Sequence, residues 1–136
     1  MGRILAIDYG EKRVGLAVTD PLKIIAAALD TVNRKQVLEY LESYVASEAV
    51  ERFIVGMPTR LNGEATDATR GVEQFAGQLR KRFPAIPIEF EDERFTSQMA
   101  LKSMVEAGVK KKNRRKKENI DKVSATLILQ SYLESK

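Results

Sequence analysis

A chain of 136 residues with 43% hydrophobic and 31% charged residues fits one soluble domain, 1–136, with room for a single sheet-and-helix core. It has no cysteine and no histidine, which excludes disulfides, thiol nucleophiles, imidazole bases and the usual nitrogen and sulfur ligands of zinc. The net charge of +4 is concentrated: Lys110, Lys111, Lys112, Arg114, Arg115, Lys116 and Lys117 put seven cations into eight positions, and the 23 basic residues less these seven leave 16 against 19 acidic ones.

No apolar run approaches the roughly 20 residues of a membrane-spanning helix. Met1-Gly2-Arg3 leads directly into a strand pattern without a secretory signal, so a cytoplasmic chain with no membrane partner is expected. Arg3 to Ile7 is an apolar run read as a buried strand ending at Asp8. Tyr9 to Lys12 is a turn, and Arg13 to Thr19 a second strand broken by Asp20-Pro21. Ile24 to Thr31 reads as a third strand. Asn33 is placed to cap a helix with Gln36 reaching back, and Val37, Leu38, Leu41, Tyr44 and Val45 recur at helical spacing.

Arg52 to Val55 is a short fourth strand, stopped by Gly56-Met57-Pro58, and a polar loop runs from Thr59 to about Thr66. A second helix to about Arg82 turns Val72, Phe75, Ala76 and Leu79 inward. Ile88 to Glu91 is a fifth strand. Thr96 or Ser97 opens a third helix that Gly108 ends, and Asn119 is placed to cap a last one carrying Val123, Leu127, Ile128 and Tyr132. Three strands followed by βα units predict an α/β fold, a five-stranded mixed sheet of order 3-2-1-4-5 with helices on both faces.

Without His or Cys, an active site falls to Asp and Glu and to the hard cations they bind, one or two Mg²⁺ or Mn²⁺. Ligands of such sheets bind beyond the carboxyl ends of parallel strands. Asp8 and Glu93 fall at that edge, and Asp121, in the first turn of the last helix, can reach across to them. Converging carboxylates repel unless a divalent cation neutralises them, and two such cations roughly 4 Å apart can drive in-line displacement at phosphorus. Each residue also has a plainer role: Asp8 as a turn former, Glu93 as a surface charge, Asp121 as a partner of the helix macrodipole. Ser124 and Ala125, three and four residues after Asp121, are small enough to let that helix face lie close to the sheet.

Four segments carry a resemblance that spans nearly the whole chain. Ile-Asp-Tyr-Gly-Glu-Lys-Arg-Val-Gly-Leu-Ala (7–17), Val-Gly-Met-Pro (55–58) with Asn62-Gly63, Asp-Glu-Arg-Phe-Thr-Ser (92–97) and Ile-Asp-Lys-Val-Ser-Ala (120–125) resemble the bacterial YqgF family. Its members are Holliday-junction-resolvase-like proteins, also described as pre-16S rRNA nucleases. The resemblance implies a ribonuclease-H-like fold, a carboxylate triad at Asp8, Glu93 and Asp121, and cytoplasmic maturation of the 5′ end of 16S rRNA. Thr59-Arg60-Leu61 and Phe95 depart from the usual pattern, away from the implied ligands.

Asp92 stands beside Glu93 as an alternative ligand. Lys12, Arg13 and Arg94 lie near the same edge as candidate phosphate contacts, and the segment holding Lys110, Lys111, Lys112, Arg114 and Arg115 directly precedes the helix of Asp121. The expected partner is nucleic acid, structured RNA or branched DNA, with the protein a monomer or weak homodimer and no nucleotide cofactor, since a Walker A pattern is missing. Two alternatives remain at this point: a Holliday-junction resolvase acting in DNA recombination and repair, and a non-catalytic module that binds RNA or a transcription complex.

Overall fold

A computed structural model describes residues 2–58, 67–92 and 117–134. Strands β1 (Arg3–Tyr9), β2 (Arg13–Thr19) and β3 (Ala26–Asn33) form an antiparallel meander, and helix α1 (Val37–Ser47) leads to β4 (Val50–Met57). Helix α2 (Asp67–Arg82) leads to β5 (Ile88–Asp92), and α3 (Lys117–Glu134) follows. β4 is parallel to both β1 and β5, giving the expected order β3-β2-β1-β4-β5. No helix among the described residues is long and apolar enough to cross a membrane.

The pleat of β1 divides the core in two. Leu5 and Ile7 join Val37 and Leu41 of α1 and Val72, Phe75 and Leu79 of α2 on one face. Ile4 and Ala6 join Ala17, Ile54, and Ala125, Ile128, Leu129 and Tyr132 of α3 on the other. Helices therefore cover both faces, α1 and α2 against α3. The rim of β1 is closed by a side chain: fully buried Thr19 accepts the Ile4 N–H through Oγ1 at 2.9 Å. Thr19→Val keeps the shape but strands that N–H, an expected cost of about 1–3 kcal/mol in urea unfolding.

Several boundaries differ from expectation for local reasons. β1 continues through Tyr9, so Asp8 lies within it rather than after it. β3 starts at Ala26, because the Asp20 carboxylate accepts the N–H groups of Leu22, Ile24 and Ile25 and holds 20–25 as a turn. Asn33 caps a 3₁₀ turn, Arg34–Gln36, through the Lys35 N–H at 2.8 Å; α1 begins after it, and Gln36 makes no side-chain cap. α3 starts two residues before Asn119, which thus stands inside the helix rather than at its N-cap position. The expected loop after Thr59 and the helix between Thr96 and Gly108 lie outside the described residues.

Candidate active site

The site is built outward from Asp8. Its strand neighbours Ala6 and Ile4 pack under α3, and the two-residue period of the pleat puts Asp8 on that same face, at the carboxyl end of β1. Across the antiparallel ladder Asp8 pairs with Gly15, and on the parallel side the Ile7–Val55 pair sets Gly56 next in line. Asp8 is thus flanked in its row by residues without side chains. Arg13, two residues before Gly15, shares the α3 face and is partly buried, while Lys12 is exposed in the turn at the same edge.

The turn itself is tight. Gly10 donates to the Arg13 carbonyl at 3.0 Å, and a Cβ at Gly10 would lie 2.5 Å from that oxygen, so the close approach requires glycine.

Small residues on both sides let α3 lie close over the sheet: Ala6 and Ala17 below, Ser124 and Ala125 above, all fully or almost fully buried. At its far end the helix is fastened by polar contacts. Arg52 ion-pairs with Glu89 and donates to the Tyr132 hydroxyl at 2.8 Å, and Ser131 donates to Glu91 at 3.0 Å. Tyr132 in its last turn shares the buried cluster of Ile4, and that turn lines one groove with Ile4 and Glu51 at the amino ends of β1 and β4. From Tyr132 back to Asp121 is a rise of about 16 Å, and from Ile4 to Asp8 about 13 Å. The helix backbone at Asp121 is thereby carried toward the edge where Asp8 lies.

Asp121 is the fifth residue of α3, past the first turn, where complementing the macrodipole is a weaker explanation for it. One turn further on, buried Ser124 has an Oγ with no hydrogen-bond partner among the described residues. Glu93, Arg94, Lys110, Lys111, Lys112, Arg114 and Arg115 lie outside the described residues. Of the three expected ligands only Asp8 has a described side chain, and among the described residues no three potential metal ligands gather at a point.

Sequence reading missed the other side of this edge. Tyr9 points away from α3 and stacks on Phe75, ring centroids 4.2 Å apart, while Arg34 lies 4.7 Å over the Tyr9 ring and donates to its hydroxyl. With Gly10, Glu11, Pro58, Ala68 and Gly71 they line a cleft of about 490 Å³. No sequence signal joins Tyr9 to Arg34, 25 residues apart, before the meander is known.

A five-stranded mixed sheet in this order, with helices on both faces, is the architecture of the ribonuclease-H-like fold. The structure is similar to that of Thermus thermophilus RuvC in complex with a Holliday junction substrate, with a TM-score of 0.61 at 16% identity, covering 99% of this chain and 96% of that one. It is also similar to fowlpox virus resolvase, with a TM-score of 0.56 at 12% identity, covering 98% and 97%.

Sequence narrows the class further: the profile described as RuvX, Holliday junction resolvase, matches residues 2–135, and the chain belongs to that family. A relative from Bacteroides thetaiotaomicron is 52% identical over 136 residues, 100% of this chain and 99% of the relative. One from Porphyromonas gingivalis is 54% identical over 135 residues, 99% and 98%. Both carry the name "Putative pre-16S rRNA nuclease".

Proposed function

We propose that the chain is a single-domain, metal-dependent nuclease that hydrolyses phosphodiester bonds in structured RNA, acting in the cytoplasm on the 5′ end of pre-16S rRNA. The observation that carries this reading is the placement of Asp8. It lies one residue before the end of the central strand on the face covered by α3, between two glycines, at the edge toward which α3 carries Asp121. RNA is favoured over branched DNA by the names of relatives that match this chain along its whole length.

Glu93 is taken as the third carboxylate because it stands in the Asp-Glu-Arg-Phe-Thr-Ser segment that carries the family resemblance. Within β5, Glu89 and Glu91 meet Arg52 and Ser131 beneath α3. An all-oxygen donor set of Asp8, Glu93 and Asp121 fits Mg²⁺ or Mn²⁺. The Ser124 hydroxyl, without a hydrogen-bond partner among the described residues, supports a polar ligand one turn from Asp121. When bound, such an ion supplies an activated water and neutralises charge at the reacting phosphate. The chain's own part is to hold the carboxylates on a rigid edge and to seat the substrate backbone, with Lys12, Arg13 and Arg94 as phosphate contacts.

Cleavage assays on precursor rRNA, single-stranded RNA and four-way DNA junctions, each with Mg²⁺ and Mn²⁺, test the reading. Cuts at the precursor's 5′ end support it, preference for the junction moves the substrate to branched DNA, and binding without any cut leaves a binding module. The basic segment is proposed as the arm that meets the phosphate backbone beside the site. Replacing Lys110, Lys111 and Lys112 with Ala is expected to flatten the slope of log affinity against log salt by roughly 2–3. An unchanged slope removes the arm from the interface.

A further inference from the structure

Four large hydrophobic side chains are exposed among the described residues, and three of them, Leu22 (62%), Ile24 (68%) and Ile25 (64%), fall in one turn. That turn joins β2 to β3 at the edge of the sheet opposite Asp8. It is rigidly built. The Asp20 carboxylate accepts from Ile24 and Ile25 at 2.8 Å each and from Leu22 at 3.2 Å. Lys23 takes a left-handed φ of 60° and ties its ammonium to Glu51 at 2.6 Å.

The backbone donors, Ile25 foremost, hold the Asp20 carboxyl below its ordinary value of 3.8. A depressed carboxylate keeps its constraint above that value and loses it only as pH falls through the lowered one, so the turn is held throughout neutral pH. The apolar side chains are therefore presented on a fixed support.

Beside this knob lies a groove of about 540 Å³ whose apolar lining comes from Ile4, Tyr132 and Leu133, with Ile24 on its lip. Its charged lining is balanced, Lys23 and Arg52 against Glu51 and Glu134. A nucleic acid would meet two carboxylates here. Lys23 is already paired with Glu51 and Arg52 with Glu89, so what the groove offers is its apolar floor, which suits the Leu22, Ile24 and Ile25 side chains of a second copy. A two-fold pairing needs knob and groove side by side on one surface.

β3 continues from the turn as an edge strand paired, among the described strands, with β2 alone. Its eight residues hold one charge, Asp30, and neither lysine nor proline, the usual guards of an open edge. The geometry points to a homodimer in which the Leu22–Ile25 turn of each copy seats in the Tyr132–Leu133 groove of the other. This pairing leaves both Asp8 edges open.

Three apolar side chains a partner fall short of the roughly 800 Å² per partner of a stable interface, so the dimer is a weak one. Sedimentation equilibrium of the full chain is expected to show the mass rising from 15.3 kDa toward twice that between about 10 μM and 1 mM. Ile24→Asp on the knob and Leu133→Arg in the groove should each hold it at the monomer mass, with unchanged circular dichroism.

Because the chain has no cysteine, a mixture of Ile24→Cys and Leu133→Cys proteins reports the contact directly. Mild oxidation should give the mixed disulfide several-fold above either self-disulfide. A wild-type chain still monomeric at about 1 mM assigns the patch to a different partner and overturns the pairing. A dimer that survives both charged substitutions, or a mixed disulfide no more abundant than the self-disulfides, does the same.

Discussion

Asp8→Asn is expected to lower metal-dependent cleavage on the order of a thousandfold, about 4 kcal/mol of transition-state stabilisation, while RNA binding is retained or tightened. Asparagine keeps the size and the pleat position, so the row of Gly15, Asp8 and Gly56 is undisturbed. What is lost is the negative charge, and a neutral amide is a far poorer ligand for a hard cation. If this edge receives the phosphate backbone as proposed, removing its carboxylate also relieves repulsion, which is why affinity need not fall with activity.

Glu11→Gln, on an exposed residue in the adjoining turn, is the control and should leave turnover within about twofold. Single-turnover cleavage and equilibrium binding measured on the same RNA separate the outcomes. A variant that cuts as fast as wild type removes Asp8 from the metal site. If wild type and variant both bind and neither cuts, the carboxylate serves binding, not turnover.

The sheet was legible in the sequence because its strands are short apolar runs punctuated by turn residues. Arg13–Thr19 appears as β2 with the expected ends, and the strand order follows from a meander feeding βα units. Where reading failed, side chains competed with the backbone pattern. Asp20 captures three N–H groups, which keeps Ile24 and Ile25 out of β3, and Asn33 caps a 3₁₀ turn instead of α1. Propensity has no access to such contacts.

The site was legible only in part, for a related reason. Positions 4–7 are all apolar, since β1 is buried on both faces, so alternation could not say which way Asp8 points. That became readable once Ile4 and Ala6 fell into the α3 cluster and Leu5 and Ile7 into the other. Small residues at 6, 17, 124 and 125 are uninformative singly, and together they set how closely α3 approaches Asp8.

Phe75→Ala carries the largest expected stability loss, about 3–5 kcal/mol, against a total of roughly 5–15 kcal/mol for a domain. Phe75 is 1% exposed at the centre of the α1–α2 core, so truncation removes a full aromatic ring and leaves a cavity walled by strands that cannot close over it. A melting temperature lower by roughly 10–20 °C should follow.

The ring also stacks on Tyr9 at an interplanar angle of 17°, a contribution of about 0.5–1.5 kcal/mol beyond burial. Tyr9 is covered on its other side by Arg34 and adjoins Asp8 in β1, so loss of the stack loosens the end of the strand that presents the carboxylate. Phe75→Leu refills most of the volume without a ring, and the difference between the two variants isolates the stacking contribution. Comparing both with Tyr9→Leu in a double-mutant cycle gives the coupling directly. A coupling near zero would mean that Phe75 supports the core alone and that the geometry at Asp8 is held from the α3 side.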